Sequence, residues 1–374
     1  MNQRPRLKET LSPRERVRLA MEHRATDRIP IAMICSGFEG SSGADMAAHL
    51  GTDREGVERY LAQFVDVDVV NGGYRGSGEE YRGPALARDA EGRYEDVWGV
   101  WRRPVSYGGG VYYEIDHYPL AEVKDVSELE RHRWPEAEWW DYTLLPGLIA
   151  KVTADRDYAL CFLSGNPFER TWWMRGYERT LMDMVEQPEL YHAIMTRVTD
   201  FYVGCAGRTL KGAGREVEFA FTGDDVAWQQ GLMMSEAMLR EFITPYHARM
   251  NAAIHEYGTR VMFHSDGAVM EAIPALLDAG IDVLQALQFD AVGMDPRAMK
   301  ERHGERLCFE GGVSVQHTLP FGTPEQVRAE VETLIRTLGK GGGYVLGPSH
   351  AIQSGTPPEN VVAMFETAVT TAMG

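Results

Sequence analysis

The chain has no basic excess, no long apolar run and no paired cysteines, and each lack closes off a class of function. Lys and Arg number 38 against 55 Asp and Glu, a formal net charge of −17. Without a basic stripe to neutralise phosphates, the chain is expected to bind neither nucleic acid nor an anionic membrane surface. A few local arginines still suffice for an anionic small molecule, so that class stays open. The four cysteines, Cys35, Cys161, Cys205 and Cys308, stand far apart with no CxxC among them. That argues against a disulfide framework or a cysteine-rich structural zinc site, and reads as reduced thiols in a cytoplasmic protein. The opening MNQRPRLKETLSPRER holds no apolar signal core, and no run approaches the roughly 20 apolar residues of a membrane span. No GxGxxG follows the first strand candidate, which counts against a dinucleotide-binding sheet. GKGGG (339–343) precedes a strand instead, and reads as a turn.

What is present is alternation. Ser12-Pro13-Arg14-Glu15 is a capping box with proline at the first helical position, predicting a helix to about His23. IPIAMI (29–34) and VDVDVV (65–70) read as buried strands. Residues 80–120 are rich in Gly, Tyr and Trp and alternate in polarity, predicting an inserted antiparallel β meander. The acidic, Trp-rich stretch 121–146 reads as surface helix and loop. From 157 onward strands recur at 158–164, 216–222, 260–265, 282–288, 306–312 and 342–348. Between and after them lie helices at about 169–185, 188–212, 235–257 and 268–279, then from Asp295, Thr323 and Pro357. Strands alternating with helices imply an α/β fold with a parallel sheet, and eight strands imply a (β/α)8 TIM barrel. An open doubly wound sheet is the alternative. The whole of residues 1–374 reads as one barrel domain carrying the meander.

Residues just past each barrel strand share one mouth, and here they are polar. The exits are Ser164-Gly165-Asn166, then Gly223-Asp224-Asp225 with Trp228 and Gln229, then His264-Ser265-Asp266-Gly267. Gln285 and Gln288, Glu310-Gly311-Gly312, and Gly347-Pro348-Ser349-His350 follow. A single Asp after a strand commonly caps a helix or holds a turn. Carboxylates, histidines and amides converging on one mouth instead mark an active site. His264-x-Asp266 has the donor types of a zinc site with an open position, completed by Glu310, His350 or Asp225. A neutral His264 bonded to Asp266, with no metal, is the competing reading.

Four blocks carry a resemblance. They are GDDVAWQQGLMMSEAMLREFITPYHARM (223–250), FHSDGAVMEAIPALLDAGIDVLQALQ (263–288), FEGGVSVQHTLPFGTPEQV (309–327) and GGYVLGPSHAIQSGTPPENV (342–361). In this order and spacing they resemble the uroporphyrinogen decarboxylase superfamily. The resemblance implies a (β/α)8 barrel, commonly a homodimer. It also implies one of two chemistries: cofactor-free decarboxylation of a tetrapyrrole, or zinc-dependent methyl transfer with a corrinoid protein or a thiol. The decarboxylase has an Arg-rich segment after its first strand, whereas IAMICSGFEGSSG (31–43) contains no Arg. A polycarboxylate would want such clamps. The methyltransferases carry His-x-Cys after strand five and a further Cys near strand eight. Asp266 and Ser349 stand at those places here.

The expectation is therefore a methyltransferase that demethylates a small methylated substrate. His264 and Asp266 would hold zinc. Asp224, Asp225, Glu310 and His350 are the candidate catalytic groups. Asn166, Trp228, Gln229, Phe263 and Gln288 are the candidate substrate contacts, and Trp172 and Trp173 candidate pocket walls. A metal-free decarboxylase is the first alternative, to be told apart by metal content and by any Arg at the mouth (Arg170 or Arg175). A non-enzymatic ligand-binding barrel is the second.

Overall fold

In the computed structural model, which describes residues 5–34, 37–75, 80–107 and 110–373, the alternating segments close into a barrel. In chain order the strands are β1 (Val67–Val69), β2 (Tyr94–Glu95), β3 (Trp101–Tyr107), β4 (Gly110–His117), β5 (Ala159–Gly165) and β6 (Phe219–Gly223). They continue with β7 (Ala227–Trp228), β8 (Gly231–Leu232), β9 (Arg260–His264), β10 (Val283–Gln285), β11 (Cys308–Val313) and β12 (Tyr344–Pro348). Seven form one parallel sheet in the order β1-β5-β6-β9-β10-β11-β12. The predicted first strand makes only a single bridge, Ile31 to Leu346, yet it closes the ring. The Ala32 N–H donates to the Leu346 carbonyl at 2.9 Å on one side, and the Asp66 N–H to the Ile31 carbonyl at 2.7 Å on the other. The TIM barrel read from the sequence is thus present, with one irregular stave. β2, β3 and β4 are the predicted antiparallel meander.

Side chains alternate between the two faces of each strand. Ala159, Cys161, Phe219, Met262, Val283, Cys308 and Val345 fill the barrel. Their neighbours Leu160, Phe162, Val261, Phe263, Leu284, Phe309 and Leu346 face the helix layer. The helix Pro13–Met21 begins with the predicted capping box and sends Val17, Ala20 and Met21 into the barrel cluster. Near it, fully buried Arg16 and Arg28 share Asp66, each at 2.6 Å. Removing one partner of such a buried pair strands a charge, so this end of the barrel serves stability.

Helices depart from expectation where local backbone intervenes. The stretch 169–185 divides into Pro167–Arg175 and Tyr177–Glu186 at Gly176, whose φ of +92° leaves helical space. The stretch 235–257 divides into Glu236–Phe242 and Thr244–His255 just before Pro245. The helices Ser42–Leu50 and Arg54–Leu61 have no counterpart in the sequence reading. Each buries only one or two side chains, too few to display a period. Among the described residues no helix is long and apolar enough to cross a membrane. Cys161, Cys205 and Cys308 are buried free thiols, and Cys35 lies outside the described residues.

Candidate active site at the barrel mouth

Strand register assembles the first part of the site. His264 pairs with Gln285 between β9 and β10, and Gln285 with Glu310 between β10 and β11. The three side chains therefore stand at one level inside the barrel. The Gln285 Oε1 accepts from His264 Nδ1 at 2.5 Å, and the Gln285 side chain also bonds Glu310. A carbonyl oxygen only accepts, so Nδ1 carries the proton and Nε2 is left to the mouth. Ala286, immediately after Gln285, has a φ of +69°. A side-chain-bearing residue in that region is strained, and such strain concentrates at functional sites.

His264 Nε2 faces two carboxylates beyond hydrogen-bond reach: Asp225 Oδ1 at 3.8 Å and Asp266 Oδ1 at 3.9 Å. His350 enters from the end of β12, its ring centroid 5.8 Å from that of His264. One ligand atom each from His264, Asp266 and His350 lie within 4.8 Å of one another, the only such set among the described residues. Asp266 Oδ1 is sealed from solvent and has no hydrogen-bond partner. The backbone of Asp266 is fixed by donation from its N–H to Asp225 Oδ1 at 2.8 Å. Burial opposes charge on His264, but Asp266, Asp225, Gln285 and Glu169 together raise its pKa. Burial, with Asp225, raises that of Asp266 against the pull of His264 and His350. An orphaned buried carboxylate oxygen beside two imidazoles, one held in a fixed tautomer, fits a divalent metal. The donors are all nitrogen and oxygen, as zinc accepts.

Asp224 and Asp225, adjacent in sequence, do different things. Asp224 is fully buried and accepts from the N–H groups of Phe168 at 2.8 Å and Glu169 at 2.7 Å, and from His247 Nε2 at 2.6 Å. It supplies the start of the Pro167–Arg175 helix with the acceptor that Asn166, at the N-cap, does not. Its oxygens do not face the mouth. Gly223 allows β6 and β9 to approach this closely, since a Cβ there would lie 2.6 Å from the His264 carbonyl oxygen.

A cavity of about 400 Å³ opens beside His264. Ile34, Val69, Leu163 and Phe221 give it apolar walls, and Asn71, Asn166 and Glu169 add polar groups. No Lys or Arg lines it among the described residues. Sequence reasoning missed Glu169. An acid in the first turn of a helix ordinarily reads as a partner of the helix dipole, and nothing else marked it.

Other predicted residues lie elsewhere. Phe263 faces outward, fully buried, and its ring meets His247 at 4.9 Å, so it is a packing residue and not a substrate contact. Trp228 sits half-exposed on β7 against Tyr177, outside the cavity lining. Gln229 donates to Gln288 Oε1 at 2.9 Å, and that oxygen also accepts from the Gly267 N–H. These two amides tie loops together. Ser349, at the place of the absent thiolate, turns its Oγ to the Val315 N–H at 3.3 Å. Trp172 and Trp173 do not wall the cavity. Arg170 is spent on Asp96 at 3.1 Å and on the ring of Trp173, and Arg175 on Asp183 at 2.7 Å.

Comparison with known proteins places this geometry. The uroporphyrinogen decarboxylase (URO-D) family profile matches residues 104–370. A uroporphyrinogen decarboxylase of Azoarcus sp. (strain BH72) is 27% identical over 298 residues, covering 75% of this chain and 77% of its own. That of Pseudoalteromonas translucida (strain TAC 125) is 23% identical over 297 residues, covering 73% and 76%. Among solved structures, a methyltransferase from Methanosarcina mazei superposes with a TM-score of 0.66 at 15% identity, over 96% of this chain and 98% of that one. That last likeness speaks to the fold. With its profile match over more than half its length and its barrel, the chain belongs to the uroporphyrinogen decarboxylase family.

Proposed function

We propose that the chain is a metal-assisted methyltransferase that demethylates a small methylated substrate, with a thiol or a corrinoid protein as the acceptor. One observation carries the reading: a cluster of nitrogen and oxygen donors stands at the edge of a small cavity whose described lining has no Lys or Arg. His264, Asp266 and His350 are the proposed zinc ligands. When bound, zinc supplies Lewis acidity to the heteroatom that carries the methyl group, and a set without thiolate gives the harder, more acidic metal. Gln285 orients the His264 ring, and Glu310 holds Gln285 from the far side. Asp225 positions Asp266 through its backbone and adds negative charge that favours a cation. Asn166 is the proposed polar contact in the cavity. The reading takes residues 1–374 as one barrel domain, acting as a homodimer.

The names of the curated relatives favour a second reading, decarboxylation of a carboxylated substrate. A polycarboxylate needs cationic clamps in its pocket. Arg170 and Arg175, the arginines nearest in sequence, are engaged with Asp96 and Asp183. The first reading is therefore preferred.

The test is elemental analysis of the purified protein beside His264→Ala. About one zinc per chain, lost in the variant, is the expected result. Wild-type protein that takes up no zinc when the ion is supplied overturns the metal site and returns the decarboxylase reading to first place.

A further inference from the structure

Among the described residues, Glu169 is the one carboxyl group that lines the cavity and belongs neither to the donor cluster nor to an ion pair. Its backbone N–H is pinned by Asp224, so the first helical turn is fixed in place. Its side chain accepts from the Asn166 amide through Oε2. Asn166 in turn accepts from Tyr202 at 3.3 Å, and Tyr202 from Arg170. This chain of bonds holds one carboxylate oxygen and leaves Oε1 without a partner among the described residues, at the cavity.

Resting on the methyl-transfer reading above, we propose that Glu169 is the proton donor of the cavity. It protonates the heteroatom that gives up its methyl group, which assigns the substrate to the methyl ethers or methyl thioethers. The bookkeeping is complete with a nucleophile as acceptor, either a thiolate or a reduced corrinoid. The nucleophile's electron pair forms a new bond to the methyl carbon, and the C–O or C–S bond breaks. Its electron pair goes to the departing oxygen or sulfur, which takes the Glu169 proton and leaves as an alcohol or thiol. Glu169 remains as a carboxylate and regains a proton from water.

Before a metal is bound, the surroundings favour the protonated form of Glu169. Burial, then Asp224, then Asp225 raise its pKa to about 7, against Asn166 and His264. The charged groups facing it are those two aspartates at the end of β6 and His264 at the end of β9. Arg170, the next residue on its own helix, is turned to Asp96. A general acid works best with a pKa near the working pH. Apolar walls suit a neutral ether or thioether.

Two measurements test the assignment. The first is a carboxyl-carbon NMR titration of glutamate-labelled wild type, Glu169→Gln and Glu310→Gln. A resonance titrating near neutral pH, present in wild type and Glu310→Gln and lost in Glu169→Gln, is expected. Its absence overturns the proposal without touching the metal reading. The second compares methyl ether and thioether donors with a methyl sulfonium donor, using a thiolate or cob(I)alamin as acceptor. A sulfonium leaves as a neutral sulfide and needs no proton. Glu169→Gln is expected to lower the ratio of ether to sulfonium rates by about 100-fold, the lower range for general acid catalysis. An unchanged ratio shows a structural role and overturns the proposal. Wild type inert toward every donor overturns the methyl-transfer reading itself, and is distinguishable because the variant is then not at fault.

Discussion

Replacing Glu310 by Gln should stabilise the protein at alkaline pH and leave it unchanged at acidic pH. Glu310 is buried inside the barrel, and its Oε2 has no hydrogen-bond partner. Burial raises its pKa from 4.5 to about 8, with the bond from Gln285 pulling the other way. Between those values the unfolded chain has already released a proton that the folded chain still holds. Stability is therefore full below about 4.5 and is lost as the pH rises through about 8. At about 1.36 kcal/mol per pH unit the whole interval is worth at most about 5 kcal/mol. Relaxation and water penetration reduce such penalties, so about 2–3 kcal/mol is expected. Gln has the volume of Glu and no charge to bury. For a chain of this length each kcal/mol moves Tm by about 1–2 °C. Thermal unfolding of Glu310→Gln should then show a Tm raised by about 3–5 °C near pH 9 and shifted by less than about 1 °C near pH 5.5. An equal shift at both values, or a loss near pH 9, would refute the reasoning. It would mean that ionised Glu310 meets a stabilising partner.

Two further variants separate packing from chemistry. Phe263→Ala should cost about 3–5 kcal/mol in denaturant unfolding and leave KM unchanged, because the ring fills the helix layer and not the cavity. A raised KM at unchanged stability would restore it as a substrate contact. Asp224→Asn should cost about 3 kcal/mol, since one face of the new amide meets donors where an acceptor is needed. Removing its charge should also lower the pKa of Glu169 and move the corresponding limb of the pH–rate profile to lower pH. A profile that loses that limb outright would make Asp224 itself the acid.

The barrel was legible because short apolar strands, buried at nearly every position, alternate with helices, several of which begin with real caps. Ser12–Glu15 and Thr323–Gln326 form the capping boxes that their sequences announce. The irregular stave at 29–34 was less so, for Pro30 and the short apolar run allow only one bridge to β12. Strand exits were the right place to search for the mouth, and His264, Asp266 and His350 came from that search.

Side-chain parity is what the search failed to use. Successive residues on a strand point to opposite faces. Phe263 and His264 could not both reach the mouth, and the inward position of Met262 decides for His264. The same alternation, continued past β6, separates Asp224, which serves the helix start, from Asp225, which reaches toward His264. It does not carry past β12, where Val345 faces inward and yet His350, not Ser349, joins the cluster. Ser349, at the place of the absent thiolate, spends its Oγ on the Val315 N–H. Glu169 was out of reach of any such rule. It lies on a helix, and its place depends on Asp224, 55 residues further along the chain. What orients it is a bond between a buried side chain and a backbone amide on another element. No local pattern records that bond, and only the closed barrel brings its two ends together.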